Sequence, residues 1–271
     1  MSAVATLRGV PGVALGNVVG SNIANVALVL GLAAVILPVT VERGIFRRDM
    51  PVLFAATAAV LLVGADGTVN RPEGALLFAA LIGFVVIAYR AQEIPGQQAP
   101  EEAAAIEQLE AELPPVPALS VPVEALLLAA GVVMLSGGAQ LFVVGATDIA
   151  SQAGVGEFAI GATLVATGTS LPEVATSAVA AARRMDDIAV ANVIGSNIFN
   201  ALGVLGFAAL ASPLGVDRAI YAFEMPVLVI TALLLIPLIT LRRPFHLGRL
   251  EGSVLLASFV AFSAITLARG A

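Results

Sequence analysis

The sequence predicts an all-α membrane protein, an inverted-repeat helical bundle of eight full spans preceded by a partial N-terminal helix. Three observations predict it. Uncharged apolar runs long enough to cross a bilayer recur along the chain. A polar segment of fifteen residues occurs twice, each time in the same context. The arginines gather on alternate connections between the runs.

Composition narrows the class first. Of the 271 residues, 59% are hydrophobic and only 12% are charged, a balance that suits solvation by lipid rather than by water. There is no cysteine, which excludes disulfides, thiolate metal sites and cysteine nucleophiles. The one histidine, His246, lies among Arg242, Arg243 and Arg249, which argues against a His-ligated zinc or haem. All 13 basic residues are arginine, and no polybasic run suggests a nucleic-acid partner. The net charge of −6 comes largely from one loop. No basic stretch precedes an apolar run at the N-terminus, so a signal peptide is not expected.

Residues 1–7 read as the tail of a helix. Full spans are expected near 13–37, 50–65, 72–89, 122–144, 155–182, 188–211, 220–241 and 251–268. The 50–65 run is short for a span at about 1.5 Å rise per residue. Between 90 and 121 the character changes. Pro95, Pro100, Pro114, Pro115 and Pro117 flank Glu101, Glu102, Glu107, Glu110 and Glu112. This segment reads as a solvated acidic tether with room for a short helix at 101–113. The chain therefore divides into a first, truncated transmembrane repeat at 1–89, a linker at 90–121 and a second repeat at 122–271.

Asn17 to Gly31 reads NVVGSNIANVALVLG, and Asn192 to Gly206 reads NVIGSNIFNALGVLG; ten of these fifteen pairs are identical, at an offset of 175. The same offset pairs Asp49-Met50-Pro51 with Glu224-Met225-Pro226, and an offset of 178 pairs Glu73-Gly74 with Glu251-Gly252. An ordered set of this kind marks an internal duplication. A unit of five spans reverses direction when repeated, so the copies should run oppositely through the membrane. Arginine counting agrees: nine lie on the 38–49, 90–121, 183–187 and 242–250 connections and four on the other side. The positive-inside rule places the nine, and with them the linker, in the cytoplasm; the expected location is a prokaryotic-type plasma (inner) membrane, as a multi-pass protein. Met1 aligns with Thr176, so a stretch of roughly 50 residues present in the second half lacks a counterpart in the first. The expectation is an N-terminal truncation or a misplaced start.

Polar residues inside spans are costly, so their clustering points to chemistry. Gly161 to Thr176 reads GATLVATGTSLPEVAT and sets Thr167, Thr169, Ser170 and Glu173 at mid-span, with Gly168 and Pro172 among them. Pro172 lacks a backbone N–H and should break the helix, freeing carbonyls that can face a cation. A second polar span carries Asn192, Ser196, Asn197 and Asn200, and the first half supplies Asn17, Ser21, Asn22 and Asn25. One carboxylate, hydroxyls, amide oxygens and carbonyls form an all-oxygen set suited to hard cations such as Ca²⁺ or Na⁺.

The GTSLPE segment and the two copies of GSNI-x-N resemble the repeats of the calcium/cation antiporter superfamily, the sodium/calcium exchangers. The resemblance covers essentially the whole chain. It implies a secondary active antiporter, not an enzyme, that exchanges Ca²⁺ for Na⁺ by alternating access. It implies ion ligands at Thr169, Ser170, Glu173, Ser196 and Asn200 in the second repeat, and at Ser21 and Asn25 in the first. No cofactor is implied; Ca²⁺ and Na⁺, or H⁺ in place of Na⁺, bind as substrates, the bilayer is the surrounding partner, and protein partners are not indicated. The sequence departs from the family twice: the first-repeat GTSLPE is absent, and Asn200 stands where some members carry Asp.

Plainer roles compete with these. Asn22 and Asn197 fit inter-helix hydrogen bonding as well as ion binding, and Gly20 and Gly195 fit close helix approach. Asp49 and Glu224 fit charge pairing at helix N-termini. The linker glutamates lack the spacing of a Ca²⁺-binding loop. A carboxylate at the depth of Glu173 binds either a proton or a cation, so transport should fall at low pH. A Ca²⁺/H⁺ exchanger, a passive channel and an inactive fragment remain as rival readings.

Overall fold

The computed structural model describes residues 11–92, 121–183, 185–241 and 245–270. The partial helix expected at 1–7 and nearly all of the acidic linker lie outside the described residues.

Helices account for nearly everything described. Six are long and apolar enough to cross a membrane: Val13–Ile36, Arg71–Arg90, Pro122–Gln152, Asp186–Ala211, Arg218–Thr240 and Arg249–Arg269. A seventh span arises when Glu157–Thr169 and Leu171–Ala182, bent by 42° at Ser170, count as one. Pro172 follows the bend at the start of the second segment, where its missing N–H is tolerated. The short 50–65 run belongs to a longer helix, Arg43–Val63, with Pro51 inside it. Its first two turns carry Arg43, Arg47, Arg48 and Asp49, which is why the sequence shows only the apolar remainder. The 122–144 run likewise extends, to a helix of 32 residues ending at Gln152.

The duplicated polar segments sit at the centre. The most apolar windows of the 13–36 and 186–211 helices are 78% and 61% buried inside the protein, against 11% for the 122–152 helix. Small residues permit this. A Cβ added to Gly16 would lie 2.6 Å from Phe158 O, and one on Gly161 would lie 2.7 Å from Val13 O. A Cβ on Gly20 would collide with the Ala162 backbone. The first polar helix therefore packs backbone to backbone against the bent span.

The halves contact each other reciprocally. A Cβ on Gly252 would meet Gly31 O at 2.7 Å, and one on Gly74 would meet Gly206 O at 2.7 Å. These are equivalent pairs with the halves exchanged. Four short strands repeat the exchange: β1 (Val39–Thr40), β2 (Thr68–Val69), β3 (Leu214–Gly215) and β4 (His246–Leu247). β1 pairs antiparallel with β4 and β2 with β3, each sheet joining one half to the other. The duplicated Glu-Gly pairs are explained too. Glu73 accepts from Asn70 N–H at 2.8 Å and Glu251 from Gly248 N–H at 3.0 Å, so each glutamate caps a helix start and each glycine packs across halves.

Asp49 and Glu224 do not lie at helix N-termini as expected. The helices begin at Arg43 and Arg218, leaving both acids at the second turn. Asp49 pairs with Arg48 at 2.8 Å, and Glu224, 4% exposed, pairs with Arg269 at 3.1 Å.

Candidate functional site: a polar cavity at the bend

Glu173 lies in the first turn beyond the bend. Together with Asn192, Ser196 and Asn200 it lines a cavity of about 390 Å³, completed by Ala191, Gly195 and Phe199. Its Oε2 is buried and has no hydrogen-bond partner among the described residues. A buried carboxylate oxygen without a donor costs stability unless something else satisfies it. Three of the seven residues expected to bind ions, Glu173, Ser196 and Asn200, thus share one space.

Thr169 and Ser21 form a second group with Asn17. Thr169 Oγ1 lies 3.0 Å from Asn17 Oδ1 and 3.1 Å from Ser21 Oγ, and Ser21 Oγ lies 3.2 Å from Asn17 Oδ1. This triangle follows from the close glycine packing, because Asn17 and Ser21 neighbour Gly16 and Gly20. It ties the first polar helix to the bent span one turn before Glu173. Ser170 sits at the bend itself, 1% exposed. Asn25 is 1% exposed, and neither atom of its amide has a partner among the described residues.

Irregular backbone marks the same places. Asn25–Leu30, Gly161–Val165 and Phe199–Val204 are π-helical. Asn25 opens one segment and its equivalent, Asn200, is second in another. π-Helical insertions shift side-chain direction and loosen carbonyls, and they recur at functional sites.

Sequence reasoning left Asn17 and Asn192 out of the ligand set. Asn192 lines the cavity and donates to Ser177 Oγ at 3.0 Å, and Asn17 holds Thr169. Their duplication at the 175 offset was the available signal. Asn197 Nδ2 donates to the Asn22 backbone carbonyl at 3.1 Å, an inter-helix bond made by one side chain of the pair, while Oδ1 of both Asn22 and Asn197 is buried without a partner among the described residues. Thr167 bonds back to Thr163 O at 2.7 Å on its own helix. Gly195 differs from Gly20: nothing lies within 4 Å of its added Cβ, and it keeps the cavity open rather than allowing helix contact. Among the described residues no three His, Cys, Asp or Glu side chains gather as a metal group. The polar groups here are one carboxylate with neutral oxygens, a set for hard cations.

The family model for sodium/calcium exchanger proteins matches residues 1–90 and 123–268. The chain belongs to this family. It is 36% identical to a putative antiporter, CaxA of Alkalimonas amylolytica, over 97% of this chain and 81% of that one. It is 29% identical to the sodium/calcium exchanger MaX1 of Methanosarcina acetivorans, over 96% of this chain and 82% of that one. Among solved structures, one of the sodium-calcium exchanger NCX_Mj superposes with a TM-score of 0.73 at 31% identity, covering 97% of this chain and 80% of that chain. As a sodium/calcium exchanger family member the protein is a multi-pass membrane secondary transporter of the cation antiporter class, not an enzyme.

Proposed function

We propose that the protein exchanges Ca²⁺ for Na⁺, with the cavity at Glu173 as the transport site. The carrying observation is a buried, unpartnered oxygen on Glu173, a residue that lines one cavity with Ser196 and Asn200 beside a broken span. Ser170, Thr169, Ser21 and Asn25 complete the ligand set as the bundle rearranges. Ca²⁺ and Na⁺ compete for one carboxylate, so the site holds one kind of ion at a time. That competition is the physical basis of coupled exchange.

All eight helical segments cross the membrane in this reading, and the two halves run in opposite senses. The crossed strand pairings and the exchanged glycine contacts support a twofold relation between halves. The arginine-rich connections face the cytoplasm. The first unit is then 1–89, the linker 90–121 is a cytoplasmic tether, and 122–271 is the second unit.

The test is Ca²⁺ flux into proteoliposomes under an imposed Na⁺ gradient, repeated with a pH gradient instead. Na⁺-driven uptake is expected, with Glu173→Gln lowering it by about 100-fold or more, as loss of an essential charged ligand should. Undiminished uptake by the variant would remove Glu173 from the site. Uptake driven only by the pH gradient would make H⁺ the counter-ion, and uptake without any counter-ion gradient dependence would indicate a channel.

A further inference from the structure

A groove of about 390 Å³ runs between the Arg43–Val63 and Arg71–Gln92 helices, far from the Glu173 cavity in character. Ala55, Ala56 and Ala59 line one wall, Ala80, Gly83 and Ala88 the other, and Arg48 closes one end. We propose that this groove is a specific site for an anionic glycerophospholipid, with an acyl chain along the alanines and the phosphate on Arg48.

Length fits first. Arg48 to Ala59 is eleven residues of helix, about 16 Å at 1.5 Å per residue. One leaflet of the hydrocarbon core is about 15 Å deep. Charge fits next. Connection 64–70 is short, so the two helices run antiparallel and Arg90 lies at the same end as Arg48. At that end Arg43, Arg47, Arg48 and Arg90 stand with Glu42 and Asp49, and Asp186 joins them by accepting from Thr40 N–H at 2.9 Å; Arg43 lies over the Phe245 ring, which leaves Arg48 as the cation lining the groove. Arg48 gives two N–H groups to Asp49, at 2.8 and 3.1 Å, and its side chain is 55% exposed, leaving three donors for a phosphate.

The duplication supplies an internal comparison. At the equivalent helix pair Ala55, Ala56 and Ala59 become Ile230, Thr231 and Leu234, and Arg48 becomes Phe223. Bulk and an aromatic ring stand where the first half has space and a cation. Space at the groove is real: nothing lies within 4 Å of a Cβ built on Gly83. The floor is Leu202, in the π-helical segment Phe199–Val204 that also carries Asn200. A chain seated here lies against the segment that carries a cavity residue.

Native mass spectrometry of the full chain in detergent, with added phosphatidylglycerol or phosphatidylcholine, tests this. The wild type should retain one phosphatidylglycerol, about tenfold more than phosphatidylcholine. Ala55→Ile with Ala59→Leu, which borrows the second-half side chains, should lose both lipids by about tenfold or more. Arg48→Gln, an exposed change at one end that leaves the alanine walls in place, should keep a lipid but lose the preference for phosphatidylglycerol. Equal retention of the two lipids by the wild type, unchanged retention by the filled groove, or a preference that survives Arg48→Gln each overturns the proposal. So does a dimer in place of bound lipid. Should the double variant fail to fold, Arg48→Gln decides alone.

Discussion

Glu173 and Asn200 share a cavity in which only the glutamate carries charge. Divalent affinity in an oxygen site rises with ligand charge. Asn200→Asp should therefore lower the Ca²⁺ concentration for half-maximal uptake by about tenfold, some 1.4 kcal/mol, read from Ca²⁺ titrations in proteoliposomes. An unchanged half-saturation would mean that residue 200 does not face the ion. Lowering pH should reduce uptake by protonating Glu173, and the added aspartate should alter that profile. A different acid illustrates structural charge. Glu224 is buried and its partner Arg269 stacks over Phe223 at 4.4 Å. Arg269→Gln orphans the buried carboxylate, whereas Glu224→Gln leaves a guanidinium that water can reach. Thermal unfolding in detergent should show Arg269→Gln as the more damaging change, by roughly 1–3 kcal/mol once the 40% exposure of the arginine is allowed for. Equal effects would show that the pair contributes through packing alone.

Helices rather than single residues carry the close packing between halves. A Cβ at Gly74 would stand 2.7 Å from a carbonyl oxygen and 2.9 Å from Ala209 Cβ, with no flexible side chain to yield. Gly74→Ala and Gly252→Ala should each cost about 1–3 kcal/mol, the range for forcing methyl groups into a tight contact. Gly195→Ala meets open space inside a helix, so stability should rise by about 0.5–1 kcal/mol while the added methyl narrows the cavity and slows transport. Unfolding curves for the three variants, beside uptake for the last, separate packing glycines from a cavity glycine. At this scale the sequence was informative where hydrophobicity alone sets an element. Apolar runs located the helices because lipid demands continuous apolar surface. Charged first turns hid the true start at Arg43, since Arg47, Arg48 and Asp49 look like loop by composition. The π-helical segments at Asn25, Gly161 and Phe199 left no mark, because a one-residue widening depends on which neighbours the helix meets.

At the scale of the whole molecule, the site was legible to the extent that polarity inside a span is expensive. Glu173, Ser196 and Asn200 stood out for that reason, and they share one cavity. The role of Asn17 depended on packing, because only the glycine contact between the first polar helix and the bent span brings it to Thr169. The Glu224–Arg269 pair joins residues 45 apart and no local pattern announces it. Packing also predicts what moves. Among the described residues the 121–152 helix touches the bundle chiefly through Ala139, Val143 and Ala150, and most of its length is exposed. Its partner is the bent span, while the Arg43–Val63 and Arg218–Thr240 helices pack against each other and the central core. Alternating access should therefore shift the 121–152 helix against a bundle that stays rigid. Spin labels at Met134 and Leu62, each 76% exposed, should report a distance change on the order of 5 Å between Na⁺ and Ca²⁺ conditions, the scale of a one-turn helix shift. Labels at Leu62 and Ile230 should hold within about 1 Å, as expected for helices packed on one core. A Leu62–Ile230 distance that moves as much as the first would place the motion inside the core, and a fixed Met134–Leu62 distance would remove this helix from the gating step.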